Sequence, residues 1–358
     1  MRQKLPDFPW DALAPYGAIA KKHPQGAIDL SVGTPVDPTP EFIQRAFQEA
    51  ANSPSYPVTV GTPELRDAIT AWAKKYLGAS GDFGVLPLIG SKEFVAWLPT
   101  FIEAQSVLYP DVAYPTYLVG SLLAEATATP VSLDATGWPQ ADMAWVNSPS
   151  NPTGRVHSES EFKAAIDWSR KNKSVVVSDE CYLEFGDLVK PTSILNYTGG
   201  DNTNILAVFS LSKRSSMAGY RAAFIVGDPA LIARILEVRK HAGMMVPLPV
   251  QVAMVAALSD EEHVAQQRAR YNSRRATLAP ALRAAGFTIE NSEAGLYIWA
   301  TRNENCWDSV SWLAELGIIA TPGIFYGDLG ASHIRIAMTA TDAQISEAAA
   351  RISNKVGA

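Results

Sequence analysis

The sequence predicts a large α/β domain wound around a mainly parallel sheet, with a smaller α/β layer attached. Two observations carry that expectation. Short apolar runs end repeatedly in a polar residue: Val85–Ile89 before Gly90, Met143–Val146 before Asn147, Ser174–Val177 before Ser178 and Asp179, and Ile205–Phe209 before Ser210. Each reads as a buried parallel strand reaching its C-terminal edge. Between them lie stretches of helical spacing, Glu93–Ala104, Tyr117–Ala126, Glu159–Lys171 and Pro229–Lys240, some opened by Ser or Asp caps. Strand then helix, repeated, is the order of a doubly wound sheet.

In chain order, a first strand motif arrives by Ile28, and Ser106–Tyr109 adds a further strand to the sheet. After Leu258 the pattern changes. A long charged helix over Asp260–Ala285 leads into strand-like Phe287–Glu290, Tyr297–Ala300 and His333–Met338, which read as the second, smaller layer. In a doubly wound sheet ligands collect outside the C-terminal strand edges, so the residues just after the apolar runs are the candidates for chemistry.

Composition narrows the classes. The 358 residues are 47% hydrophobic and 18% charged, which fits a globular enzyme and excludes disorder or a fibrous repeat. Thirty basic against 36 acidic residues leave a net charge of −6 with no long basic run, so neither nucleic acid nor an anionic membrane is an expected partner. Small molecules are. Two cysteines, Cys181 and Cys306, give no disulfide framework and no zinc-ligand spacing, and the longest apolar run, Val252–Leu258, is too short to span a bilayer. The expected compartment is the cytoplasm, and no metal is expected.

There is no G-x-G-x-x-G after a first strand, no P-loop, no H-E-x-x-H and no G-x-S-x-G. What remains is a spaced set at the strand ends: Asn151 in NSPSNPTG, Asp179 and Tyr182 in SDECY, and Lys213 in SLSKRSSMAGYR. A lysine at the end of a buried strand is partly desolvated, so its neutral amine is available to form a Schiff base. A carboxylate at such a strand mouth needs a partner, which a protonated pyridine nitrogen would be, although Asp179 as a plain helix cap fits as well. Asn151 and Tyr182 have hydrogen bonds to give a phenolate oxygen; a turn Asn and a half-buried core Tyr are the plain alternatives. Gly90-Ser91-Lys92 opens a helix directly after a strand, where backbone N–H groups favour a phosphate, and Arg221 would add a cation. Ser210 and Ser212 add hydroxyls beside Lys213, and Tyr117 in AYPTY offers a flat ring face, although a tyrosine in a helix start is more often simple packing. Together they point to pyridoxal 5′-phosphate.

The chain resembles the fold-type I pyridoxal-phosphate aminotransferases of the aspartate aminotransferase (class I/II) kind. The resemblance begins with DLSVGTPVDPTP and continues through YPVTVGTPELRDAI, GSKE, YPTY, NSPSNPTG, SDECYLEF, SLSKRSSMAGYR and EAGLYIW to TPGIFYG and HIRIAMT. It implies a large cofactor domain over residues 36–258 and a small domain from residues 1–35 and 259–358, in a homodimer with shared active sites. It implies Lys213 as the Schiff-base lysine and proton carrier, Asp179 as partner of the pyridine nitrogen, Asn151 and Tyr182 on the ring oxygen, and Tyr117 stacked on the ring. Gly90, Ser91, Lys92, Ser210, Ser212 and Arg221 would hold the phosphate, with Tyr56 reaching the neighbouring subunit's phosphate. Arg335 would bind the substrate α-carboxylate as a bidentate fork, bordered by Gly33 and Asn151.

The loop RSSMAGYRAAF, with VGTPELR and YPTYLVGSLLAEA, looks most like the succinyldiaminopimelate aminotransferases of the actinobacterial lysine and cell-wall pathway. That likeness implies amino transfer between N-succinyl-LL-2,6-diaminopimelate and 2-oxoglutarate. An aminotransferase for aspartate, aromatic or other amino acids and a C–S β-lyase are the alternatives on the same fold. A regulator's ligand-sensing domain is disfavoured because the stretch before Ile28 leaves no room for a helix-turn-helix segment. For the distal carboxylates the basic candidates are Arg2, Lys4, Lys21, Lys22, Arg214, Lys240 and His241.

Overall fold

The computed structural model of the protein describes residues 5–356. Its strands are β1 (Ile28–Asp29), β2 (Gly84–Ile89), β3 (Ser106–Pro110), β4 (Thr127–Val131), β5 (Met143–Asn147), β6 (Val175–Asp179), β7 (Ile205–Ser210), β8 (Ala222–Gly227), β9 (Thr288–Glu290), β10 (Tyr297–Thr301), β11 (Ile318–Ile319), β12 (Thr321–Pro322) and β13 (His333–Ala337). Seven of them form one sheet in the order β2-β8-β7-β6-β5-β3-β4. All run the same way except β8, which is antiparallel to both of its neighbours.

The apolar runs of the sequence correspond to β2, β3, β5, β6 and β7, all members of this sheet. The sequence pattern does not mark β8. It is as apolar and buried as β5 and β7, but it runs the other way, so its site residue, Arg221, precedes the apolar run instead of following it. Its reversal has a direct effect on placement. The register pairs Ile89 with Ala222 and Ser210 with Ala223, so the start of β8 lies beside the ends of β2 and β7. Arg221, immediately before β8, therefore joins Gly90 and Ser210 at one sheet edge.

Both faces of the sheet are covered, as a mainly parallel sheet requires. Along β7, Ile205, Ala207 and Phe209 face a cluster containing Trp72, Phe162 and Phe224, while Leu206 and Val208 face Phe94, Tyr117 and Trp145 on the other side. The predicted helix Glu93–Ala104 is observed as Ser91–Phe101. It starts earlier because Gly90, at φ +80°, turns the chain directly from β2 into the helix, and Glu103 at φ +57° lies beyond its end.

A second, antiparallel sheet has the order β12-β13-β10-β9. The long helix Glu262–Ala284 leads into it. β1 pairs in parallel with β11, Ile28 opposite Ile318, so the N-terminal segment is bound to the last part of the chain. Arg274 reinforces the crossing by pairing with Asp37 and Asp342, at 2.6 Å in each case.

Candidate active site

Every strand end that the sequence singled out converges on one place. The central group is Lys213, half-buried on the short helix Leu211–Arg214 that follows β7. Burial lowers its pKa to about 8; Cys181 opposes the shift, and the guanidinium groups of Arg335 and Arg221 add to it. A neutral amine is thus available near neutral pH.

Asp179 ends β6 and is buried, 7% exposed. Its carboxyl is raised by burial and held down in part by hydrogen bonds: Oδ2 accepts from the Tyr117 hydroxyl at 2.9 Å and Oδ1 from the Cys181 amide at 3.2 Å. Among the described residues, none of the groups acting on it is a cation. A buried carboxylate satisfied only by neutral donors fits a protonated ring nitrogen as its missing counter-charge. Asn147 fixes the strand end by donating to the Asp179 carbonyl at 2.9 Å.

The anion cradle is built from backbone and cation. A Cβ on Gly90 would collide with Arg221 Nη2, so the guanidinium rests against a surface that only glycine leaves open. Ser91 begins the helix, and its hydroxyl faces the Cys181 thiol. Ser210 caps the Lys213 helix by accepting from the Ser212 amide at 3.2 Å, which keeps both hydroxyl groups beside the lysine. Helix start, hydroxyls and arginine together suit a phosphate dianion.

Arg335, on β13, is buried and aromatic-lined. Its guanidinium lies 4.1 Å from the Tyr297 ring centre and 5.1 Å from that of Tyr326. Nη1 donates to Asn151 Oδ1 at 2.9 Å and Nη2 to the Ser31 carbonyl at 2.6 Å. Among the described residues nothing accepts from its Nε. A buried donor without an acceptor is costly, and a carboxylate arriving from solvent would satisfy it. Gly33 is close by, and a Cβ there would overlap the Tyr297 hydroxyl. Tyr182 shares that hydroxyl at 3.0 Å.

Two expected residues, Tyr117 and Lys92, are placed differently. Tyr117 does not present a free ring face. It is fully buried and stacked on Trp145, with centroids 5.0 Å apart and planes at 22°. The helix Thr116–Leu123 buries Thr116, Tyr117, Gly120 and Ser121, so its period turns Tyr117 into the core, where it holds Asp179. The half-exposed aromatic is Tyr114, three residues earlier, whose phenol is pushed up to about 12, chiefly by burial and further by Asp179 and Tyr297. The Lys92 side chain is exposed and directed over the Phe8 ring, 5.7 Å from its centre, leaving only its backbone at the helix start. Tyr56 is 93% exposed and gives nothing to its own chain's site.

Arg214 is corrected more firmly as a candidate for the distal carboxylates. It is 4% exposed, pairs with Glu184 at 2.5 Å and lies over Trp72, so its charge is already committed within the core. Lys21, Lys22, Lys240 and His241 are exposed, Lys240 pairing with Glu237. Arg2 and Lys4 lie outside the described residues. Among the described residues no helix is long and apolar enough to cross a membrane.

Tyr297 and Tyr326 escape sequence reasoning as site residues. Their motifs, EAGLYIW and TPGIFYG, are visible, but only the folded arrangement, Tyr297 on β10 beside β13 and Tyr326 on the turn Gly323–Tyr326, shows that these aromatics border the arginine.

Residues 25–352 match the family model for aminotransferases of class I and II. The chain belongs to that family. It is 49% identical over 358 residues to the 4-dedimethylamino-4-oxo-anhydrotetracycline transaminase OxyQ of Streptomyces rimosus, covering 98% of this chain and all of the relative. It is 50% identical to "Probable aminotransferase Rv1178" of Mycobacterium tuberculosis, covering 98% of this chain and 85% of the relative. Among solved structures, a "probable N-succinyldiaminopimelate aminotransferase" from Thermus thermophilus superposes with a TM-score of 0.88 at 26% identity, covering 97% of this chain and all of the other. The fold is thus that of the aspartate aminotransferases, and this aminotransferase uses pyridoxal phosphate, as its family does.

Two outcomes follow from the geometry. Gly90→Ala should weaken cofactor binding to the apoenzyme by about tenfold, since the added methyl must displace the Arg221 guanidinium from its place at the helix start, a loss of about 1.4 kcal/mol at the phosphate. Titration of apoenzyme with pyridoxal phosphate measures it, and wild-type affinity would remove Arg221 from the cradle. The rate at which apoenzyme captures the cofactor should rise with pH and level off above about 8, because the depressed Lys213 pKa leaves the amine neutral there. A rate still climbing at about pH 10 would mark an ordinary lysine.

Proposed function

We propose that this aminotransferase works as a homodimer and exchanges an amino group between N-succinyl-LL-2,6-diaminopimelate and 2-oxoglutarate, giving N-succinyl-2-amino-6-oxopimelate and glutamate. The observation that carries transamination is the half-buried Lys213, near the guanidinium groups of Arg221 and Arg335 and near Cys181, whose amide bonds the Asp179 carboxyl. The choice of substrate is supported by the motifs VGTPELR and YPTYLVGSLLAEA and by the likeness to the Thermus thermophilus protein.

Pyridoxal phosphate, when bound, supplies an electron sink for the Cα electrons of the amino acid. Arg335 would take the α-carboxylate on its planar fork, with the unpartnered Nε as one donor and Gly33 leaving room beside it. Lys213 in its neutral form would remove the Cα proton and return it at the C4′ position, acting as base and then as acid. Asp179 would hold a proton on the pyridine nitrogen, its own position fixed by Tyr117. Asn151, whose Oδ1 faces Arg335, keeps its amide N–H groups for the ring oxygen, which Tyr182 would share. Gly90, Ser91, Ser210, Ser212 and Arg221 would hold the phosphate, and Tyr114 would cover a ring face. The outward Tyr56 would serve the phosphate of the other protomer.

A second reading is favoured by the full-length match to the Streptomyces rimosus transaminase, whose name specifies a polycyclic oxo substrate. With 2-oxoglutarate as the recycling acceptor, kcat/KM for N-succinyl-LL-diaminopimelate should exceed that for aspartate, phenylalanine and unsuccinylated diaminopimelate by at least roughly 10²-fold, the size of one or two charge-assisted contacts. Equal or better rates with those amino acids would overturn the substrate assignment, and amination of a polycyclic ketone in their place would establish the second reading. Mixing Tyr56→Ala chains with Lys213→Ala chains should restore activity through heterodimers that hold one intact site. Self-contained sites would restore none.

A further inference from the structure

Tyr297 occupies a position that the roles above leave unused. It opens β10 and is 3% exposed. Its hydroxyl lies 3.0 Å from that of Tyr182, with the rings edge to face at 72°. Its ring face carries the Arg335 guanidinium at 4.1 Å. The Gly33 backbone presses on the same hydroxyl so closely that a Cβ would overlap it. One phenol thus touches the group expected on the ring oxygen, the group expected on the substrate carboxylate, and the glycine bordering that carboxylate.

We propose that Tyr297 is a positioning residue that couples occupancy of Arg335 by a substrate carboxylate to the hydrogen bond that Tyr182 gives the cofactor's ring oxygen. The inference rests on the transamination reading above. Its logic is proton counting. Each phenol owns one O–H. If Tyr182 donates to the ring oxygen, the pair at 3.0 Å can be bonded only with Tyr297 donating to Tyr182. Donors in series polarise one another, so the strength of the Tyr297 donor is felt at the ring oxygen.

Arg335 sets that strength. A guanidinium over the ring withdraws charge from it and makes its hydroxyl a better donor; a carboxylate docked on Arg335 neutralises the cation and weakens the donor. The ring oxygen then holds its negative charge less comfortably, and the neighbouring Lys213 nitrogen joined to the cofactor holds its proton more tightly. Substrate binding would raise the proton affinity at that nitrogen. Arg335 is also bordered by Tyr326, Tyr182 and Tyr114. Tyr114, Tyr271 and Tyr326 are the other titratable groups that sense Tyr297, each with a phenol pushed up by burial. The bond that reaches Tyr182 runs from the Tyr297 hydroxyl and from none of these three.

The test is a pH titration of the visible absorption band of the cofactor-loaded enzyme, with and without saturating succinate as an unreactive carboxylate. In the wild type succinate should raise the midpoint by roughly one pH unit, a tenfold change in proton affinity. In Tyr297→Phe, which keeps the ring over Arg335 and removes only the hydroxyl, the midpoint without succinate should already be higher, and succinate should move it measurably less than in the wild type, the remaining shift passing through Asn151, which also joins Arg335 to the ring oxygen. Adding Tyr182→Phe to both the wild type and the Tyr297→Phe variant should abolish the difference between them, since the chain then has no link to the ring oxygen. Identical midpoints and identical succinate shifts in wild type and Tyr297→Phe would overturn the coupling. Gly33→Ala keeps the tyrosine but displaces its hydroxyl, and should reproduce the Tyr297→Phe midpoints; wild-type midpoints there would also count against it. Absence of any visible band in the loaded wild type would instead overturn the transamination reading, which keeps the two failures apart.

Discussion

A carboxylate buried without a cation is the constraint on which the site is organised. Asp179 sits at the end of β6 under the neutral donors of Tyr117 and Cys181, and burial raises its carboxyl. Such a group is unfavourable unless something charged completes it. Much of the surrounding structure holds it in place: Asn147 ties its carbonyl to β5, Trp145 backs the tyrosine that bonds it, and the thiol of Cys181 lies between it and Ser91. The same low-dielectric setting depresses the Lys213 amine. One burial therefore shifts two groups in opposite senses, raising the carboxyl and bringing the amine down toward neutral pH, in each case by disfavouring the charged form.

What the sequence reveals and what it hides can be separated by the kind of interaction involved. Lys213, Asp179, Asn151 and Gly90 are legible because each follows an apolar run, and the end of a buried strand is where polar chemistry becomes possible. β8 is hidden because no polar site residue follows its apolar run: it is antiparallel to β2 and β7, a direction set by pairing, and Arg221 stands at its start. Tyr117 reads as a ring-facing group although its spacing to Gly120 and Ser121 marks the inward side of a helix. Arg214 looks like a free cation in the sequence, yet its partner Glu184 lies 30 positions earlier and Trp72 farther still. Tyr297 borders Arg335 through the antiparallel register of the second sheet, and Tyr326 from the turn Gly323–Tyr326 that follows β12, placements that no local pattern records.

The reversed strand also bears on how the chain reaches a cofactor-binding state. Parallel neighbours joined by a crossover can assemble from segments near one another in sequence, but the pairing of β2 with β8 joins Gly84–Ile89 to Ala222–Gly227, segments separated by the chain of all five other strands of the large sheet. That pairing closes a long loop before it is rewarded by contacts, which makes it a slow event in folding. Gly90 and Arg221 meet only when it is complete. A partly folded chain with β3 to β7 in place would hold Asp179, Asn151 and Lys213 yet lack the finished anion cradle, so the phosphate end of the cofactor distinguishes finished molecules from nearly finished ones. Cofactor present in the cell would then act as a thermodynamic clasp on that last strand, drawing the population toward closure by about 2.7 kcal/mol at a concentration roughly one hundred times its dissociation constant.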